Sequence, residues 1–206
     1  MSLFAKMEHR FQPVPDDKQI LVQPFLQACN DGIIPFLEAF GKTFIPVKSD
    51  VAGNINKLQT KFDSDPEKFS SFNAMLEDEV KTQDTDLARV GGLWLKRGLE
   101  FICTIFRMMI EEYKSGNMSE NFGAITRKAY EQSLKKYHGW LLQKMVLGIS
   151  RTLPSTKNML KMLSESEDTN DQLIMDMYQF EQELFANLEV LNALFINMDL
   201  DDQSKV

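Results

Sequence analysis

The chain has 206 residues, of which 43% are apolar and 26% charged; this is enough for one domain spanning residues 1–206, and it excludes a disordered or membrane-spanning protein. A net charge of −7 argues against nucleic acid as a partner, because neutralising phosphates takes a basic face. Cys29 and Cys103 stand alone, without CxxC spacing or a Cys/His cluster, so no disulfide framework, zinc site or cofactor is expected and a reducing cytosol is the expected compartment.

Charge at Lys6, Glu8, His9 and Arg10 leaves no room for a signal sequence or a membrane span at the start. Helical periodicity then dominates, and no alternating strand run or Gly-rich hairpin stands out, so the expected class is all-α. Asp16 is placed to cap a first helix running toward Asn30, and a short segment from Ile34 to Phe40 follows. The next helix is expected from about Pro46 to Phe62, after which Asp65-Pro66 has the form of an N-cap with proline at the first helical position. A long helix from about Asp86 to Lys114 comes next, then one from Ser119 through Tyr137 into Leu147, then Ser155 to Leu163. After a polar break from Ser164 to Asn170, the last helix begins near Asp171 and carries a stripe at Leu173, Met177, Phe180, Leu184, Leu188, Leu191, Phe195 and Met198.

Charge is unevenly spread. Met162 to Ser204 holds eleven acidic residues and no Lys or Arg, whereas Arg127 to Lys144 holds five basic residues against Glu131 alone. One end of the molecule can therefore approach an anionic surface while the rest stays acidic.

Three short stretches place chemistry beside buried stripes. In KSDVAGNINK, Asp50, Asn54 and Lys57 fall within roughly 60° of one another on a helix, next to the apolar line of Val47, Val51, Ile55, Leu58 and Phe62. Such a strip can also be nothing more than the solvated half of an amphipathic helix. In GGLWLKRGLEF, Trp94 and Arg97 share a face with Val90, Phe101 and Met108; the indole suits core packing, and the arginine either snorkels to water or needs partners. In KKYHGW, His138 lies in line with Tyr130, Leu134, Leu141 and Met145, where a histidine is either a satisfied core residue or a functional one.

The stretches KSDVAGNINK, WLKRGLEFI and KAYEQSLKKYHGWLLQK resemble, in the same order, segments of the glycolipid transfer protein family, and the resemblance runs over nearly the whole chain. It implies a two-layer sandwich of about eight helices enclosing a hydrophobic sleeve for lipid chains, with a sugar headgroup site at the surface and no enzymatic activity. On that resemblance Asp50, Asn54 and Lys57 hydrogen-bond the first sugar and the amide region, Trp94 stacks under the sugar ring, and His138 binds the ceramide carbonyl. The chemistry suits these side chains: sugar hydroxyls both donate and accept, and an indole plane matches the C–H face of a sugar ring.

The resemblance also implies a sleeve along Phe36, Phe44, Val47, Phe101, Leu134 and Val146, with Val206 near its entrance, and a membrane foot at Trp140 with Lys135, Lys136 and Lys144. The same residues can equally form an exposed helix end with solubilising lysines. The expected ligand is a glycosphingolipid such as galactosylceramide, glucosylceramide or lactosylceramide, carried by a cytoplasmic monomer that touches membranes transiently. The segment IPFLEAFG loosely resembles the phenylalanine-acidic motif by which family members contact an endoplasmic-reticulum membrane receptor, and its Phe36 can equally be buried.

One departure concerns the end of the chain, where the family's best-known members carry a tyrosine two residues before the terminal valine and this sequence has Ser204. Two rival functions stand beside glycolipid transfer. The first is transfer of ceramide-1-phosphate, in which related proteins place an arginine at the position of Trp94 for bidentate phosphate contact. The second is a helical adaptor without lipid cargo. Catalysis is set aside, because no nucleophile motif accompanies Asp50 and His138.

Overall fold

A computed structural model describes residues 1–164 and 170–206, and the described part of the chain is an all-α sandwich. Helix α1 (Val22–Ala28) passes through a π turn, Cys29–Ile33, into α2 (Ile34–Glu38) as one continuous path. It is followed by α3 (Ile45–Ser64), α4 (Phe72–Thr82), α5 (Leu87–Lys114), α6 (Phe122–Gln132), α7 (Trp140–Arg151), α8 (Thr156–Leu163) and α9 (Asn170–Asn197). Counting α1 and α2 as one, the described residues hold eight helical rods.

The centre is α5. It packs against α3, α4, α6 and α9, while α1 and α2 lie on α3, α7 lies on α6 and α8 on α9. Its middle is apolar around most of its circumference, with Leu95, Leu99, Ile102, Ile105 and Phe106 all buried, as a helix enclosed on several sides requires. The expected stripe of α9 is buried from Leu173 to Phe195, and Met198 at its end is half-buried. Gly91 sets how closely α3 meets α5: a Cβ there would sit 3.0 Å from Lys57 Cβ and 3.2 Å from the Asn54 carbonyl.

Three boundaries differ from expectation. Asp16 does not cap α1, because Pro15 to Lys18 forms a turn with Lys18 at φ 59° and the helix starts only after Leu21. Asp65 caps a single turn through Lys68 N (3.2 Å), and α4 begins later with Ser71 accepting from Ala74 N at 3.3 Å. The delay follows from tertiary pairing: Val22 N donates to Ser70 O (3.0 Å) and Phe72 N to Ile20 O (3.1 Å), which holds Ser71 extended opposite Leu21. Helix α5 spans Leu87–Lys114 as expected, its start capped by the wholly buried Glu79 of α4, which accepts from Ala88 N and Arg89 N, each at 2.9 Å.

The third difference bears on the site. The helix expected from Ser119 through Leu147 is broken: α6 stops at Gln132, a 3-10 turn covers Lys135–Tyr137, and His138 is extended at φ −100°, ψ 134°. Val206 forces the break from 68 positions away, since its N–H donates to Tyr137 O (3.0 Å) and its carbonyl accepts from Gly139 N (2.6 Å). Of the polar break expected from Ser164 to Asn170, residues 165–169 lie outside the described residues.

Candidate functional site

A cavity of about 420 Å³ opens between α3, α5, α6, α7 and the C-terminal tail. Asp50, Asn54, Lys57, Trp94 and His138 all line it, brought together from three separate parts of the chain. A more open depression of about 590 Å³ under the N-terminus contains none of these five groups.

The polar strip of α3 is wired together. Lys57 Nζ donates to Asn54 Oδ1 at 3.3 Å, and the Asn54 side chain hydrogen-bonds the Asp50 carboxylate. Asn54 is buried, whereas Asp50 is exposed on its outer side and backed by the cavity wall. Burial against that wall raises the Asp50 pKa, and the Lys57 charge and the Asn54 hydrogen bond offset part of the effect.

Across the mouth, Trp94 is half-buried with its ring 6.2 Å from His138 at an interplanar angle of 27°. His138 Nδ1 lies 3.1 Å from the Tyr130 hydroxyl. Burial lowers the His138 pKa, and the positive charge of Arg97 adds to the effect, so the ring is neutral at pH 7. Tyr130 is pushed up to about 12 by burial and keeps its proton.

Below the polar rim the wall is apolar. Phe44, Val47, Phe101, Leu134, Val146 and Val206 all face the cavity, joined by Leu142, Met145 and Ile149. Phe36 is the exception among the sleeve residues: it is buried behind the wall, edge-on to Phe40 at 5.1 Å and to Phe106 at 4.7 Å. Phe36 and Leu37 being buried, IPFLEAFG presents neither side chain to a receptor in this conformation.

Arg97 does not snorkel. It is 1% exposed, its guanidinium stacked 3.5 Å over Tyr137 and 5.1 Å from Trp94. Nη2 donates to Asp201 Oδ1 at 3.2 Å and to the Asp202 carbonyl. Lys96, 3% exposed, donates to the same Asp201 oxygen at 3.1 Å and to Asn192 Oδ1 at 2.8 Å. Burial alone would raise the pKa of Asp201, but these two cations hold it below the usual carboxylate range. The acidic tail is therefore a strap across α5 that delivers Val206 to the mouth. Ser204, in place of the expected tyrosine, caps a local turn by bonding the Asp202 carboxylate through N (2.8 Å) and Oγ (2.8 Å).

Neither the strap nor Tyr130 was singled out from the sequence. Two adjacent cations on a buried face of α5, with an acidic stretch free of Lys and Arg from Met162 to Ser204, were the available signal for the strap. At the outer end of α7, Trp140 is 68% exposed with Lys144 Nζ 4.6 Å from its ring, and Leu141 beside it is also exposed. Lys135 and Lys136 are exposed nearby, the first bonded to Glu131 at 3.4 Å and the second 4.6 Å from the Tyr137 ring.

Chemically, the mouth offers an acceptor, an amide, an ammonium, an aromatic plane and an imidazole above an apolar hollow, which suits an amphiphile with a hydroxyl-rich head. Among the described residues no helix is long and apolar enough to cross a membrane and no cluster of His, Cys, Asp and Glu could hold a metal ion.

An all-helical shell around such a hollow defines a class, and comparison with known proteins gives the family. The family model described as glycolipid transfer protein matches residues 20–165. The glycolipid transfer protein of Danio rerio is 34% identical over 206 residues, covering 97% of this chain and 98% of the relative. That of Xenopus tropicalis is 31% identical, covering 95% and 97%.

Among solved structures, one showing how FAPP2 selects simple glycosphingolipids using the GLTP-fold superimposes with a TM-score of 0.86 at 25% identity, covering 100% of both chains. Mouse ceramide-1-phosphate transfer protein superimposes with a TM-score of 0.84 at 20% identity, covering 98% of this chain and 99% of that one, a likeness of fold alone. The chain belongs to the glycolipid transfer protein family.

Proposed function

We propose that this chain is a single lipid-carrying domain that binds a glycosphingolipid and moves it between membranes without chemical change. The observation that carries the reading is the convergence of Asp50, Asn54, Lys57, Trp94 and His138 on the mouth of one apolar cavity. Asp50 and Lys57 bond the hydroxyls of the first sugar, with Asn54 holding them in register. Trp94 supplies the plane beneath the ring. Asp50 accepts from the ceramide N–H, and His138 donates to its carbonyl. An amide left unpaired in this apolar mouth would cost about 1–3 kcal/mol, so the pair selects for ceramide.

The hydrocarbon chains enter the sleeve, where each buried methylene contributes about 0.8 kcal/mol. The 420 Å³ cavity also includes the mouth that the headgroup occupies, and two long chains need more room than it offers. The remaining room comes from α7, in which only Ser150 is buried and which packs mainly on α6. Tilting α7 outward extends the sleeve toward the Phe36 layer.

The exposed Trp140 and Leu141, with Lys135, Lys136 and Lys144 around them, meet the membrane during pick-up and delivery. The protein works from the cytoplasm as a monomer. Contact with an endoplasmic-reticulum receptor through IPFLEAFG would require Phe36 to leave the core.

The decisive experiment follows fluorescent galactosylceramide between donor and acceptor vesicles, with a ceramide-1-phosphate probe in parallel. Wild type is expected to move the sugar probe, and Asp50→Val to abolish transfer at unchanged helicity. Movement of the phosphate probe alone would replace this reading with phosphate-headgroup transfer, and movement of neither would leave a helical adaptor.

A further inference from the structure

We propose that Tyr130 is a positioning residue that fixes the His138 ring with its Nε2–H aimed at the cavity, an inference resting on the lipid-binding reading above. Three contacts already hold the His138 backbone. Tyr137 O accepts from Val206 N at 3.0 Å, Gly139 N donates to Val206 O at 2.6 Å, and the His138 carbonyl accepts from Gln143 Nε2 at 2.8 Å. The ring tautomer remains to be set. Tyr130 comes from α6, eight positions earlier, is 3% exposed, and has its ring held edge-on to Phe101 at 86°.

The two possible arrangements of the 3.1 Å bond differ in what they leave unpaired. If the phenol donates, its proton and the Nδ1 lone pair are both satisfied, and the ring's single proton sits on Nε2. If Nδ1–H donates, the phenol proton needs an acceptor in an apolar wall, and among the described residues the structure gives the hydroxyl no other partner. The first arrangement is therefore preferred. Burial and the nearby Arg97, which disfavour a second proton on the ring, keep it in that single form.

A fixed Nε2–H gives the site polarity. With Asp50 able only to accept when ionised and His138 only to donate at its free nitrogen, a ligand amide is read in one direction, carbonyl toward His138 and N–H toward Asp50. Tyr130 touches no ligand group in this scheme and acts through the imidazole.

The test is nitrogen NMR of lipid-free protein carrying labelled histidine. The chain has two histidines, and His9 is an internal reference of the opposite kind, because its Nδ1 lies 2.9 Å from Asp31 Oδ2, an oxygen that only accepts. His138→Gln assigns the peaks. Wild-type His138 is expected with Nδ1 unprotonated and Nε2 protonated. In Tyr130→Phe the Nδ1 signal is expected to move toward the protonated position as the tautomers mix, with galactosylceramide affinity falling about fivefold and the melting curve still cooperative.

A wild-type His138 protonated at Nδ1, or a folded Tyr130→Phe with an unchanged His138 spectrum, overturns the inference. Should Tyr130→Phe fail to fold, the wild-type tautomer decides alone. A wild type with the expected tautomer that binds no glycolipid supports the positioning and sinks the lipid reading, so the two failures are separable.

Discussion

Asp201→Ala should loosen the strap that closes the site. Asp201 Oδ1 is shared by Lys96 and Arg97, and removing it leaves two cations, both almost wholly buried, without their common carboxylate. Removing one partner of a buried ion pair costs about 3–5 kcal/mol. The low end applies, because Lys96 keeps Asn192 and Arg97 keeps the Asp202 carbonyl and the Tyr137 face. At about 3 kcal/mol, and roughly 2–4 °C per kcal/mol for a chain of this size, the melting temperature should fall by about 6–12 °C.

The pH dependence carries a sign. The Asp201 pKa is lowered from 3.8 in the folded state, so its contribution is complete above that value and is lost as pH falls through the lower, folded one. Thermal unfolding followed by circular dichroism should therefore show wild type and variant converging in acid, well below 3.8. An unchanged melting temperature at neutral pH, or a gap that persists undiminished once Asp201 is protonated, would refute the strap.

Trp140→Ala is expected to reduce sedimentation with vesicles containing anionic lipid while leaving binding of detergent-dispersed galactosylceramide intact, since the ring lies outside the cavity. Gly91→Ala drives a Cβ to 3.0 Å from Lys57 Cβ, so urea unfolding should show a loss of about 1–3 kcal/mol and calorimetry a weaker headgroup affinity. Glu79→Gln replaces the carboxylate that caps α5 with an amide of half the acceptor capacity, and should cost about 1–2 kcal/mol of stability in the same urea assay with transfer unaffected.

How far the site was legible in the sequence depends on which residues set each feature. The polar strip at Asp50, Asn54 and Lys57 was readable because its groups are neighbours on one helix face, so spacing alone aligns them. The stripe of α9 and the aromatic interruption at Trp94 were readable for the same reason. Helix α3 accordingly begins and ends within two residues of expectation, at Ile45 and Ser64. The chain's helical class followed from the same periodicity.

The remaining features were settled by partners remote in sequence. His138 looks helical locally and is extended in the fold because Val206 claims the backbone groups on either side of it. Arg97 reads in the sequence as a residue that either snorkels to water or needs partners, and its partners lie in an acidic tail more than a hundred residues away. Asp65-Pro66 is a sound N-cap signal that yields one turn, because the Ile20–Val22 segment draws Ser71 into extended pairing. Phe36 has the composition of a sleeve residue, but its place between Phe40 and Phe106 sets it behind the wall. Local spacing thus determined which side chains share a helix face, whereas hydrogen bonds and ion pairs across the fold decided where helices break, which charges are buried and which apolar side chains border the cavity.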